Sequence, residues 1–273
     1  MTSAVSAAKG RRESDRGHGA LDRDAFLRPI AHRGLHSRAK SRIERRIENT
    51  APAFRAAVDK GYGIECDLQA AKDGTPMVFH DEKLDRLVEA SGSIAAHTPG
   101  GLANLRYKGQ YTTILTFAEL LELVAGRVPL LVEVKRNKHL PPKAFLESIA
   151  RQASTYRGPI ALMSFDGGVV AALGRLAPGV SRGWIVGSHA LVARWWAATS
   201  TARKDAVIAR ALAAAPDGIS FLSVDVRLLR GVRKWLDSHA PELTLFCWTV
   251  RTKRQSATAA RWADAPTFEG YEP

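Results

Sequence analysis

The chain has 273 residues, 45% of them hydrophobic, and only two cysteines, Cys66 and Cys247. These figures fit a large globular core, argue against a disulfide framework, suit a reducing compartment and leave no apolar run long enough to cross a bilayer, so a cytoplasmic location without stable membrane insertion is expected. The formal charge of +13 is dispersed, with short clusters such as Arg11-Arg12 and Arg42–Arg46 and no basic stripe carrying interleaved aromatics, which argues against nucleic acid as a partner and for attraction of anionic small molecules.

Residues 1–24 lack the apolar stretch of a secretory signal and are expected as a flexible basic tail; residues 25–273 are expected to form a single domain. Arg28–His32 reads as a strand and Thr50–Lys60 as a helix, with Asn49 as its N-cap and Pro52 in its first turn. Gly63–Ala71 alternates: Ile64, Cys66 and Leu68 take one face, Glu65, Asp67 and Gln69 the other. Asp73-Gly74 then marks a hairpin. With those two as the loop, the return Met77–His80 places Gln69 opposite Val78 and Asp67 opposite His80.

Glu82–Tyr111 is irregular, without clear periodicity. Phe117–Val124 is a helix capped by Thr116. From there strands and helices alternate strictly. The strands are Pro129–Lys135, Ile160–Ser164, Gly183–Val186, Ile219–Val224, Leu243–Val250 and Pro266–Glu269. The helices are Pro142–Thr155, Gly167–Leu176 begun by Asp166, most of Ala190–Ala215 with a break near Thr199–Thr201, Leu228–His239 and Gln255–Trp262. Eight strands with helices between them predict a closed parallel (β/α)8 TIM barrel, with a hairpin extension after the second strand and a short insertion. No Gly-rich phosphate loop of the open-sheet kind is present.

A barrel of this type carries its site at the C-terminal ends of its strands, and the titratable residues collect there. Glu65, Asp67 and Glu133 offer three hard oxygen donors without zinc-type spacing, which points to one divalent cation, Mg2+ or Ca2+. Arg33 and Lys135 suit an anion clamp for phosphate, or neutralise the carboxylates. His32 and His80 suit the two proton transfers of a phosphodiester hydrolysis. Trp248 is placed either to stack on a glycerol or head group or to pack the barrel top. Ser164 and Phe165 are pocket wall or plain strand end, and His36 lies near the mouth.

In His32-Arg33-Gly34, Glu48-Asn49-Thr50, Glu65-x-Asp67, His80-Asp81, Glu133-Val134-Lys135 and Trp248-Thr249-Val250, in that order, the chain resembles the glycerophosphodiester phosphodiesterase family. The resemblance implies a metal-dependent (β/α)8 barrel that hydrolyses glycerophosphodiesters to sn-glycerol 3-phosphate and an alcohol. It implies His32 and His80 as the acid/base pair, Glu65, Asp67 and Glu133 as metal ligands, and Arg33 and Lys135 as phosphate contacts. Glu48 is then expected to support the substrate site from its rim. The Arg-rich Leu35–Ile47 link, the short insertion and Glu269 after the last strand depart from the family pattern. Two rival functions are a phospholipase D-type cleavage of lysophospholipids, which needs an apolar groove near Leu84, Leu87, Val88 and Ile94, and a non-catalytic binding protein for anionic head groups or nucleic acid.

Overall fold

A computed structural model describes residues 19–37, 46–138, 140–187 and 200–273. Among these residues the strands are β1 (Ile30–Ala31), β2 (Gly63–Ala70), β3 (Pro76–Val78), β4 (Leu130–Val134), β5 (Ile160–Ser164), β6 (Ser181–Val186), β7 (Phe221–Asp225), β8 (Thr244–Val250) and β9 (Ala265–Phe268). All but β3 pair in parallel with their barrel neighbours, and β1 pairs with both β9 and β2, so the expected eight-stranded parallel barrel closes. The antiparallel β3 hangs on β2. Helices α2 (Ala51–Asp59), α4 (Phe117–Val124), α5 (Lys143–Thr155), α6 (Gly167–Leu176), α7 (Thr201–Leu212), α8 (Leu229–His239) and α9 (Lys253–Trp262) connect the strands; α1 (Arg23–Phe26) precedes them and α3 (Pro99–Ala103) lies in the insertion. Of the expected helix across Ala190–Ala215, α7 begins behind an N-cap at Ser200, where a break was expected, and residues 188–199 lie outside the described residues. No described helix is long and apolar enough to cross a membrane.

Period-two alternation sorts the strands into two cores. Ile64, Cys66, Leu68, Val132, Val134, Leu222 and Leu245 pack outward against the helices. Leu131, Ala161, Met163, Ile185, Phe221, Phe246 and Ala265 fill the barrel interior. Phe221 and Phe246 meet edge to face at 5.3 Å between ring centroids. Gly183 makes room for them: a Cβ there would sit 2.2 Å from the Phe221 ring.

Of the segment expected as a tail, residues 1–18 lie outside the described residues, whereas Gly19–Asp24 are packed under the barrel. Gly19 N donates to Pro178 O at 2.8 Å, Ser181 Oγ donates to Ala20 O at 2.6 Å, and Asp22 caps α1 by accepting from Ala25 N. That turn drives Phe26 into the interior core, 6.2 Å from Phe246. Phe26→Ala is therefore expected to cost about 3–5 kcal/mol, the usual range for deleting a buried ring. Equilibrium unfolding in urea measures it. A loss under about 1 kcal/mol would show that α1 only rests on the barrel.

The insertion is less irregular than the sequence suggests. Phe79, Leu84, Val88, Ile94, Leu102, Tyr107 and Ile114 are buried together in a small core of their own, with Ile47, Ala71 and Met77. Isolated bridges Lys83–Ser93, Val88–Tyr107 and Arg106–Thr113 tie it. Its apolar residues are spread over turns and single bridges, so neither a helical nor a strand period reveals them.

Candidate active site

β1 is only two residues long and pairs with Gly63 and Ile64 at the foot of β2. Above Ala31 the chain turns away through His32-Arg33-Gly34, with Arg33 at φ 56° and Gly34 at φ 76°. The upper edge of β2 is taken instead by β3, which pairs with Leu68–Ala70. The departing first strand, the carboxylate-bearing second strand and the hairpin return thus meet at one corner of the rim.

The register of that hairpin differs from expectation by one residue. Leu68 pairs with Val78 and Gln69 with Met77. The loop has three residues, not two: Ala71 N donates to Thr75 O at 2.9 Å, Gly74 N donates to Ala71 O at 3.0 Å, and Gly74 takes φ 87°. This is a type I turn closed by a left-handed glycine, the next most common hairpin after the two-residue one. Phe79, not His80, lies across from Asp67, with Phe79 N donating to Asp67 O at 3.0 Å. A one-residue slip would normally send His80 to the wrong face. It does not, because β3 stops at Val78 and the chain leaves the ladder, and the His80 carbonyl is caught by Gln69 Nε2 at 2.9 Å.

Glu65, Asp67 and Glu133 all face inward and are buried, and each offers an oxygen within 4.8 Å of the others. Lys135 Nζ lies 2.8 Å from Asp67 Oδ1 and 2.6 Å from Glu133 Oε1. Arg33 Nε lies 3.3 Å from Asp67 Oδ2, and the Arg33 backbone N–H donates to Glu65 Oε2 at 2.9 Å. Burial pushes the Glu65 carboxyl well above the usual carboxylate range, and the like charges of Asp67 and Glu133 push it further. Burial also acts to raise Asp67, but Lys135 and Arg33 outweigh it and hold that carboxyl well below its ordinary value. Burial raises the Glu133 carboxyl as well, against the pull of Lys135; only with all three carboxyls ionised would they outnumber the two cations, by one charge.

Asn49 is not the helix cap expected. Thr50 holds the N-cap position of α2, and Asn49 sits at φ 55°, a left-handed conformation that Asn tolerates better than most residues. From there its Nδ2 donates to Asp67 Oδ2 at 2.8 Å and its Oδ1 accepts from Asp67 N at 3.3 Å. Residue type alone does not separate these uses, since a cap and a long-range amide clamp are made by the same side chain.

Both expected histidines reach the pocket, each held from behind by a carboxylate. His32 Nδ1 is 2.9 Å from Glu269 Oε2, and His80 Nδ1 is 2.6 Å from Asp81 Oδ1. A carboxylate accepts only, so each Nδ1 carries the proton and each Nε2 is left for the pocket. Burial brings the His32 pKa down to about 4 against the pull of Glu269. Burial lowers His80 as well, in spite of Asp67. Burial raises Glu269, yet the hydrogen bonds from His32 and Arg251 hold it well below its usual range. Glu269, whose residue type departs from the family pattern, is thus the partner of His32; its place one step beyond β9 was the available signal.

The charged side of the pocket is lined by His32, Arg33, Glu65, His80, Glu133 and Lys135. The rest of the lining includes Met163, Phe165, Ile185 and Trp248, together with Ser223 and Thr267. Trp248 packs edge to face on Phe165 at 5.6 Å and donates its Nε1–H to Ser223 O at 3.2 Å. Ser223 Oγ and Thr267 Oγ1 are buried without a hydrogen-bond partner among the described residues. Ser164 is a plain strand end, its Oγ donating to Val134 O at 2.7 Å.

Glu48 does not line the pocket. It accepts from Arg33 Nη1 at 2.7 Å and from Arg86 Nη1 and Nη2 at 3.0 and 2.7 Å, which against the effect of burial bring its pKa down to about 2. His36 lies in a neighbouring groove with Leu35, Ser37 and Arg46. Arg86 was not visible as a site residue in the sequence, because Glu48 lies far away in the chain and Asp81, five residues back, is joined to it by no helical or strand period.

Known proteins share this arrangement of fold. The profile of the glycerophosphoryl diester phosphodiesterase family matches residues 32–266. The chain is 30% identical over 159 residues to the glycerophosphodiester phosphodiesterase of Bacillus altitudinis, covering 55% of this chain and 62% of that one. It spans about 60% of the length of the curated relatives it matches at this level. Among solved structures, an Oleispira antarctica phosphodiesterase in complex with the product sn-glycerol-3-phosphate superposes with a TM-score of 0.68 at 20% identity, over 88% of this chain and 92% of the other. The Thermotoga maritima glycerophosphodiester phosphodiesterase gives 0.63 at 19% identity, over 89% and 94%. With the profile running from the first strand end to the last strand, the chain belongs to the glycerophosphoryl diester phosphodiesterase family.

Proposed function

We propose that the protein is a metal-dependent phosphodiesterase that hydrolyses glycerophosphodiesters to sn-glycerol 3-phosphate and an alcohol. The observation that carries this reading is the pair of carboxylate-backed histidines, both presenting Nε2 to a pocket that also holds three buried carboxylates and two cations. Glu65, Asp67 and Glu133 fit one divalent cation, Mg2+ or Ca2+: their donors are hard oxygens, they converge, and such an ion would offset the like-charge repulsion that pushes Glu65 up. A bound cation would supply charge neutralisation to the phosphate.

The chain's own residues supply the rest. Arg33 and Lys135 hold the phosphate and stabilise the charge that grows on it in the transition state. One histidine, neutral, takes the proton of the attacking hydroxyl or water at its Nε2; the other, starting as an imidazolium backed by its carboxylate, gives its Nε2 proton to the leaving oxygen. Glu269 and Asp81 keep the two rings in the tautomer that leaves Nε2 inward. The Ser223 and Thr267 hydroxyls, without a hydrogen-bond partner among the described residues, suit a small polyol, with Trp248 and Phe165 against its C–H face. The Oleispira protein of the same fold holds the product sn-glycerol-3-phosphate, which supports a glycerol phosphate as the ligand class. The free, buried cysteines fit a cytoplasmic setting.

The lysophospholipase reading is less well supported, because Leu84, Val88 and Ile94 are spent inside the insertion core and do not line a groove. A substrate panel tests the proposal: glycerophosphocholine, glycerophosphoethanolamine, glycerophosphoglycerol and a lysophospholipid, each with Mg2+ or Ca2+. Turnover of the water-soluble diesters above the lysophospholipid is expected. Preference for the lysophospholipid would reverse the order of the two readings, and tight head-group binding without turnover would make this a binding protein.

A further inference from the structure

Two rim carboxylates come from different parts of the chain, and each holds one working side chain of the pocket. Glu48, ahead of α2, accepts from Arg33 Nη1 at 2.7 Å. Asp81, beyond β3, is 2.6 Å from His80 Nδ1. A single guanidinium spans both. Arg86 donates from Nη1 and Nη2 to Glu48 at 3.0 and 2.7 Å, and from Nε and Nη2 to Asp81 at 2.5 and 3.0 Å. This double fork uses the planar geometry of arginine; a lysine ammonium is a point charge and does not grip two carboxylates in this way.

Arg86 is itself held from below. It sits in a turn where Val88 N donates to Leu84 O at 3.0 Å, with Leu84 N donating to Gly92 O at 2.9 Å and Lys108 N donating to Leu87 O at 2.8 Å on either side. The side chains of Leu84 and Val88 are anchored in the insertion core beside Phe79, the residue before His80. The core therefore fixes Arg86 and the approach to His80 together.

We propose that Arg86 is a positioning residue that ties the anion-binding side of the pocket, through Glu48 and Arg33, to the proton-transfer side, through Asp81 and His80, and that the insertion serves to hold it there. Its kinetic consequences rest on the phosphodiesterase reading above; its effect on anion binding does not. Without Arg86, Glu48 is left to Arg33 alone, so that Arg33 keeps less charge for a bound anion. Asp81 is then free to swing toward water, and the His80 ring loses its fixed orientation.

The test uses Arg86→Ala and Arg86→Lys in the full chain with Mg2+. The readouts are kcat and KM on glycerophosphocholine, the Kd of sn-glycerol 3-phosphate by calorimetry, and thermal unfolding. Arg86→Ala is expected to lower kcat/KM about 10- to 100-fold, the range for a residue that orients a ligand from behind. The loss should be shared between a lower kcat and a higher KM, with Kd rising alongside KM. The melting temperature should stay near wild type, because the Arg86 side chain is 46% exposed. Arg86→Lys should recover only part of the loss. Arg86→Ala combined with Asp81→Asn should lower kcat no further than the worse single variant, since both act on His80. Variants within twofold of wild type in both kcat and Kd would overturn the proposal, as would strictly additive losses in the double variant. If wild type turns over no diester, the phosphodiesterase reading falls, and the positioning role stands or falls on whether Arg86→Ala weakens sn-glycerol 3-phosphate binding.

Discussion

Replacing His80 with alanine is expected to lower kcat on a glycerophosphodiester by about 10²- to 10⁴-fold, the usual contribution of one acid/base group, with a much smaller change in KM. Under the proposed function, anion binding would be left to Arg33, Lys135 and a cation on the three carboxylates, none of which depends on the imidazole. The backbone path should survive as well, because Gln69 binds the His80 carbonyl and not its ring, and the side chain is a third exposed instead of filling a core. Steady-state kinetics on glycerophosphocholine, with circular dichroism to confirm folding, measure the effect. A folded His80→Ala protein with unchanged kcat would take His80 out of the chemistry.

Chelation is expected to abolish turnover and leave the barrel folded, with activity returning on addition of Mg2+ or Ca2+. The Glu65, Asp67 and Glu133 carboxyls crowd together with only Arg33 and Lys135 among them, and burial and like charge push Glu65 up; under the proposed function a divalent cation would let all three ionise and would offset their charge toward the phosphate. The fold depends on that ion little. Eight paired strands and two layers of apolar packing hold it, and two of the three carboxylates already have Lys135 between them. Activity in EDTA and after repletion, read against far-ultraviolet dichroism in the same samples, tests both halves. Turnover that resists EDTA, or unfolding on its addition, would contradict the account.

The barrel was legible because parallel strands are buried on both faces. A carboxylate in such a strand stands out, as Glu65, Asp67 and Glu133 do; a spacing of two puts Glu65 with Asp67, and Glu133 with Lys135, on one face of their strands. The helix starts were legible where the cap is local: Thr116 and Glu119 form a capping box, and Asp166 caps α6. Asp73-Gly74 announced a turn but not its length, because the same pair serves a two-residue and a three-residue loop. Asn49, Arg86 and Glu269 escaped for a different reason. Asn49 and Glu269 act on residues far away in sequence, and Arg86 joins distant Glu48 to nearby Asp81 across an aperiodic turn, so no pattern within a window of the chain records these partners. The insertion core escaped because its members sit in turns that have no period.

The two-residue length of β1 reaches further than the corner it opens. Since β3 borders the upper half of β2, residues 71–80 are a stave of the wall and not a loop mounted on it. An exchange of this hairpin and its insertion with a relative would therefore replace part of the vessel along with its ornament. Divergence at this position is constrained in a way that the other strand-to-helix connections of the rim are not, and a new specificity is easier to graft after β5 or β7, where the wall on both sides is already complete.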